Sequence, residues 1–136
     1  MEGVLTMLFS EKLKQLRKNA GMSQSALANE LGVTLRTVQY YEAGERYPQT
    51  AQITNKICEI FKISNTYLMS EQDEFIMEAT EKYGTNGKNK ANAIITETSG
   101  LFAGGDLDDE DKDLFFKAIT DIYFQSKERA KKYASK

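Results

Sequence analysis

The sequence predicts an all-α protein with two parts, five short helices in the first half of the chain and a small helical C-terminal region. Apolar residues recur at helical spacing, and the two-residue alternation of strands is absent. Residues that cap or end helices are closely spaced in the first half. The one proline, Pro48, lies between two helical segments. We place the boundary after residue 70, which divides the chain into residues 8–70 and 71–136.

Each of the first three predicted helices has a hydroxyl residue that can cap its start and a glycine that ends it. We expect these helices to begin at Ser10, Ser23 and Thr34, and to end near Gly21, Gly32 and Gly44. Their spacing places one set of apolar residues on the inner faces: Phe9, Leu13, Leu16, Ala26, Leu27, Leu31, Val38 and Tyr41. The short glycine turn at Gly32 should set the second and third helices at a large angle.

Two more helices are expected after Pro48. The fourth extends from Thr50 to Phe61, and the fifth from Asn65 to Met69. The inner face of the fourth helix is predicted to contain Ile53, Ile57, Ile60 and Phe61. The five helices together make about sixty residues, a size that can fold alone.

The first half also carries a family pattern. The matching residues are Leu13-Lys14-Gln15-Leu16-Arg17-Lys18, Gly21-Met22-Ser23-Gln24, Leu27-Ala28, Leu31-Gly32-Val33, Val38-Gln39-Tyr40-Tyr41-Glu42-Ala43-Gly44 and Pro48. With them, residues 10–70 resemble the phage lambda repressor/Cro-like family, or XRE family, of helix-turn-helix transcriptional regulators. The resemblance implies binding to double-stranded DNA, with the helix after Gly32 in the major groove. It also implies an ion pair between Arg17 and Glu42.

The exposed side of the third helix supplies the candidate DNA-contacting residues. A polar helix face is usually only solvated, but the resemblance favours contact with bases. The predicted base-contacting residues are Leu35, Arg36, Gln39 and Tyr40. The guanidinium of Arg36 suits guanine, whereas the amide of Gln39 suits adenine or a neighbouring side chain.

A second set of residues is predicted to contact the DNA backbone, namely Ser23, Gln24, Thr34, Thr37 and Arg46. Two of these assignments have alternatives. Ser23 suits a helix cap, and the amide of Gln24 is expected to meet a phosphate and can also brace a side chain of the third helix. Glu45 lies beside Arg46 and should weaken its contact with phosphate.

The C-terminal part is predicted to contain three helices. The first covers residues 71–83, and the second follows a polar turn at residues 84–89 and covers residues 90–99. A loop at residues 100–105 then leads to a final helix that is capped by Asp108. The acidic run at residues 106–111 lacks the glycine and the spaced glutamate of a calcium-binding loop, so we interpret it as helix capping and solvated acids.

The final helix carries a set of apolar residues: Leu114, Phe115, Ala118, Ile119, Ile122 and Tyr123. This face either packs on the other helices of the C-terminal part or joins two copies of the chain. We favour a homodimer interface, because so small a core needs additional burial.

Charge is divided unevenly between the two parts. Residues 8–70 contain eight Lys/Arg and five Asp/Glu, a net charge of +3, whereas residues 71–136 contain ten and fourteen, a net charge of −4. The basic part suits phosphate, and we expect the acidic part to lie away from it.

These features together predict a cytoplasmic, homodimeric repressor that binds a two-fold DNA operator. The alternative is an antitoxin that binds DNA with the first part and a toxin with the second. We expect no enzyme, cofactor or metal site, because there is no histidine and only one cysteine, Cys58, among apolar residues. No segment predicts membrane insertion.

Overall fold

The computed structural model describes residues 7–102 and 108–134, and these ranges are all-α with no strand. Their helices are α1 (Phe9–Asn19), α2 (Gln24–Leu31), α3 (Leu35–Glu42), α4 (Ala51–Phe61), α5 (Asn65–Leu68), α6 (Glu71–Phe102) and α7 (Asp109–Ala134). The predicted fold class is therefore confirmed, with five short helices followed by a helical C-terminal part. None of the helices described in these ranges is long and apolar enough to cross a membrane.

The predicted caps of α2 and α3 are confirmed. The hydroxyl of Ser23 accepts a hydrogen bond from the backbone N–H of Ala26 at 3.0 Å, and that of Thr34 accepts one from the N–H of Thr37 at 3.1 Å. Gly32 ends α2 in the left-handed conformation, with φ 72°. That conformation costs glycine little, because glycine has no Cβ.

The predicted cap of α1 is wrong. This helix begins at Phe9 rather than Ser10, and no side chain of its flanking residue Leu8 caps it. Instead, the backbone N–H of Phe9 donates to a carboxylate oxygen of Asp73 at 2.9 Å. A carboxylate from a distant part of the chain thus satisfies an N–H group that a local cap would otherwise satisfy.

Helices α1 to α5 enclose one core. Its buried residues are Phe9, Leu13, Leu27, Ala28, Leu31, Val38, Tyr41, Ile57 and Leu68. The partly buried side chains of Leu16, Ile53, Ile60 and Phe61 pack against it, as predicted. On α2 the fully buried alanine is Ala28, whereas Ala26 is only half-buried.

Helix α6 folds back on itself at Gly84, which divides it into a first arm (residues 71–83) and a second arm (residues 85–102). Gly84 has φ 67° and ψ −152°, a region that is essentially restricted to glycine. The predicted turn over residues 84–89 is therefore too long, because residues 85–89 are already helical. The predicted loop at residues 100–105 also begins too early, since α6 continues to Phe102; residues 103–105 lie outside the described ranges.

Helix α7 packs against the first arm through aromatic rings. As predicted, Asp108 caps it by accepting a hydrogen bond from the N–H of Asp111 at 2.8 Å. The ring centroid of Phe75 lies 5.8 Å, 5.4 Å and 5.5 Å from those of Phe116, Tyr123 and Phe124. Tyr123, one of the apolar residues predicted for the final helix, is therefore partly buried in this core.

One buried carboxylate joins the two parts of the chain. Asp73, at the start of α6, is fully buried. Besides the N–H of Phe9, it accepts hydrogen bonds from the hydroxyl of Tyr47 at 2.7 Å and from the N–H and hydroxyl of Ser70 at 3.1 Å and 2.8 Å. Burial, and then the neighbouring Asp73, raise the pKa of Tyr47, so its hydroxyl remains a donor. These bonds fix the start of α6 against α1 and against the loop that follows α3.

Candidate nucleic-acid interface

Helices α2 and α3 are joined by a turn of three residues. Gly32 supplies the left-handed conformation, and Thr34 caps α3 immediately afterwards. The inner side of α3 is anchored in the core by Val38 and Tyr41, which are 0% and 5% exposed. The opposite side of α3 is consequently directed outward on a helix whose position is fixed.

A buried ion pair sets the end of α3 against α1. The Nε and Nη2 atoms of Arg17 donate to the two carboxylate oxygens of Glu42 at 2.6 Å and 2.9 Å. The side chains are only 10% and 3% exposed. Hydrogen bonding to Glu42 raises the pKa of Arg17. The predicted contact between Arg17 and Glu42 is confirmed.

Gln24 extends this pair into a network that we name the Arg17–Glu42–Gln24 network. Its amide nitrogen donates to a carboxylate oxygen of Glu42 at 3.1 Å. Of the two roles considered for Gln24, the structure shows the bracing of a side chain on α3. The network ties the start of α2 to the end of α3. The turn at Gly32 joins the other ends of the two helices.

The four predicted base-contacting residues share the outward side of α3. Leu35 is 42% exposed, Arg36 and Gln39 are exposed, and Tyr40 is half-buried. The Nε of Arg36 donates to the hydroxyl of Tyr40 at 2.8 Å. This bond was not predicted, although the spacing of four residues on a helix would have indicated it.

The predicted backbone-contacting residues lie at three places around α3. Ser23 and Gln24 are at the start of α2, and Thr34 and Thr37 are in the first turn of α3, where their hydroxyls lie 2.9 Å apart. Arg46 follows α3, with its guanidinium 4.3 Å from the ring centroid of Tyr40. Unpaired N–H groups and the helix dipole make helix N-termini favourable for phosphate. The contacts with DNA themselves remain predictions.

One cation near this surface was not predicted. Lys88, on the second arm of α6, donates a hydrogen bond from Nζ to the backbone carbonyl of Glu45 at 3.0 Å. Since 43 residues separate the two, no local pattern could have indicated this contact.

A helix, a short turn at a left-handed glycine and a second helix with a fixed, exposed face define a helix-turn-helix domain. A family model described as a helix-turn-helix domain matches residues 10–74. This match and the geometry support the resemblance of residues 10–70 to the lambda repressor/Cro-like, or XRE, family of helix-turn-helix transcriptional regulators.

Two relatives from Bacillus subtilis (strain 168) are similar over much of the chain. The "uncharacterized HTH-type transcriptional regulator YqaE" is 29% identical, over 91% of this chain and 97% of its own. The "SPbeta prophage-derived uncharacterized HTH-type transcriptional regulator YonR" is 28% identical, over 71% and 77%. A chain of a solved SinR protein/SinI protein complex aligns with a TM-score of 0.43 and 19% identity, over 71% of this chain and 99% of that chain.

Proposed function

We propose that the protein is a repressor that binds a two-fold DNA operator as a homodimer. The observation that carries the proposal is the exposed face of α3, with Leu35, Arg36, Gln39 and Tyr40, on a helix held by the Arg17–Glu42–Gln24 network. Side chains that discriminate between bases must be held in a fixed geometry. This face meets that requirement and is free of covering elements in the described part of the chain.

The flanking groups suit the DNA backbone. The capped starts of α2 and α3 and the guanidinium of Arg46 lie on either side of the exposed face, where phosphates would flank a helix inserted in the major groove. Such contacts would position α3 without specifying sequence.

The dimer is proposed from the outer face of α7. Leu114, Phe115 and Ile122 are 62%, 42% and 61% exposed, and Ala118 lies between them at helical spacing. The opposite face, with Phe116 and Phe124, already packs on the first arm of α6. A second copy of the chain would bury the exposed face and would also double the number of base contacts. In the antitoxin alternative, a different protein would occupy the same face.

The test is selection followed by footprinting. The full chain selects duplexes from a random-sequence pool, and the selected duplex is footprinted with hydroxyl radicals. We expect two inverted half-sites, with centres about 10 base pairs apart or a multiple of that. A single unrepeated site would contradict the two-fold operator, and a pool without enrichment would contradict sequence-specific binding.

Repression is tested separately in cells. A reporter that carries the selected site across its promoter should be expressed less when the chain is present. Expression should recover when α3 carries Arg36→Ala. Increased expression with the wild-type chain would show an activator instead.

A further inference from the structure

Contacts with Tyr40 and Glu45 connect three cations, two in the helix-turn-helix domain and one on the C-terminal part. The guanidinium of Arg36 lies 5.5 Å from the ring centroid of Tyr40, and that of Arg46 lies 4.3 Å from the same centroid. Lys88 reaches the carbonyl of Glu45, the residue before Arg46. We propose that Lys88 is a DNA-contacting residue, which binds the phosphate backbone beside Arg46. This inference rests on the proposed function and extends the DNA interface beyond the helix-turn-helix domain.

The position of Lys88 is fixed from two sides. Its side chain is half-buried between the second arm and the loop after α3. The same loop contains Tyr47, whose hydroxyl is held by Asp73 at the start of α6. The hydrogen bond to the carbonyl of Glu45 is exposed, so the ammonium is held at the loop and remains accessible to a ligand.

The chemistry of the ammonium leaves capacity for a phosphate. A lysine ammonium has three N–H donors, and the carbonyl of Glu45 accepts from one of them. Two donors remain, and phosphate oxygens accept such bonds strongly because both groups are charged.

The surrounding charges point to an anion as the missing partner. None of these three cations lies within ion-pair distance of a carboxylate in the described part of the chain. The exposed carboxylate of Glu45 offsets part of this positive charge, and a phosphate beside Arg46 and Lys88 would offset more of it.

The acidic C-terminal part is locally basic at the fold-back of α6. Residues 82–90, which include the fold-back at Gly84, contain three lysines and no acidic residue. The net charge of −4 beyond residue 70 led us to expect that this part lies away from DNA. The structure places Lys88 of this basic stretch at the loop after α3, so that expectation is kept here for the acidic remainder.

The test measures binding of the full chain to two duplexes across a range of salt concentrations. One duplex is selected from a random pool by the wild-type chain, and the other is unrelated in sequence. We expect Lys88→Gln to weaken binding to both duplexes severalfold and to reduce the salt slope by about one. Lys88→Arg should retain the wild-type slope. The matched control is Lys90→Gln, which removes the same charge from an exposed position two residues further along the second arm and should leave the slope unchanged.

Two results would overturn the inference. Lys88→Gln with the wild-type slope and affinity would show that Lys88 does not touch DNA. A lower melting temperature or altered sequence preference with an unchanged slope would show that Lys88 only braces the loop. In either case the wild-type chain still binds its selected duplex, so the proposed function stands. If the wild-type chain prefers neither duplex, the proposed function itself fails.

Discussion

Buried charged side chains determine how this protein holds α3. Arg17 and Glu42 connect α1 to the end of α3, and Asp73 connects α1 to α6. Removal of one partner from a buried ion pair leaves an uncompensated buried charge. This costs far more stability than the loss of an ion pair on the protein surface. This chain contains a buried ion pair and a surface ion pair, so the two losses of stability can be compared directly.

We expect Glu42→Ala to lower the free energy of unfolding by about 3–5 kcal/mol, because it leaves the guanidinium of Arg17 buried without a carboxylate. The control is Glu78→Ala. Glu78 and its partner Lys82 form a surface ion pair, with side chains 50% and 47% exposed. The loss of unfolding free energy should therefore be below about 1 kcal/mol. Urea denaturation measures both. Equal losses would show that the Arg17–Glu42 pair contributes no more than a surface pair.

Asp73→Ala should also be strongly destabilising. It leaves the N–H of Phe9 and the hydroxyl of Tyr47 buried without their acceptor, at about 1–3 kcal/mol for each group. Glu74→Ala changes the exposed neighbour and serves as the control. Amide hydrogen exchange at Phe9 should accelerate only in Asp73→Ala. Unchanged exchange there would contradict the role of Asp73 as the N-terminal acceptor of α1.

The two arms of α6 approach each other unusually closely. The fold-back at Gly84 places Gly87 against the first arm. A Cβ on Gly87 would lie 2.7 Å from the Cβ of Tyr83 and still closer to the carbonyl oxygen of Ala79. Backbone cannot yield as the end of a flexible side chain can, so the two arms approach this closely only because residue 87 is glycine.

Gly87→Ala should therefore separate the arms and destabilise the C-terminal part, although alanine has the higher helix propensity. The stability lost by forcing the arms apart should exceed the stabilisation of about 1 kcal/mol that helix propensity alone predicts for this substitution. Asn89→Ala, at an exposed position of the same arm, should be neutral or stabilising. Thermal denaturation distinguishes the two. A stabilised Gly87→Ala variant would contradict the close approach of the arms.

Local signals predicted the helices of the first half well. A cap such as Thr34 and a stop such as Gly32 act on residues within one turn, so both are visible in the sequence. The Arg17–Glu42 contact was found only through family resemblance. The acceptor of the Phe9 N–H lies 64 residues away, and the partner of Lys88 lies 43 residues away. Such contacts depend on the complete fold and leave no periodic pattern.

The C-terminal part was predicted less well for related reasons. A glycine between two helical segments indicates a turn but does not give its length, so the helical residues 85–89 were assigned to the turn. On α7, the apolar residues fill more than one face. The sequence did not show that Phe116 would be buried while Phe115 remained 42% exposed.

The two parts of the chain share the contacts around Asp73. A cut after Ser70 would remove Asp73 and also Ile76, which is 1% exposed. The isolated first part would then lack an acceptor that the intact chain supplies to α1. The dimer is for this reason best tested by a substitution in the full chain.

We expect Ile122→Glu to convert a dimer into a monomer in sedimentation, because the charge enters the exposed apolar face of α7. The control is Lys117→Gln, which makes the same unit change in charge at an exposed position outside that face. Binding to the selected duplex should weaken only in Ile122→Glu. A wild-type chain that sediments as a monomer would contradict the dimer and favour a different protein as the occupant of this face.

The most direct measurement compares how strongly the wild-type chain and Arg36→Ala prefer the selected duplex over an unrelated one. Arg36 is exposed on α3 and lies outside both cores, so its removal should leave the fold intact. A bidentate contact to a base contributes about 1–3 kcal/mol to discrimination, and the preference should therefore fall by about that amount while affinity for the unrelated duplex changes little. A variant that loses equal affinity for both duplexes would show that Arg36 contacts only phosphate, and would contradict the assignment of α3 as the helix that recognises sequence.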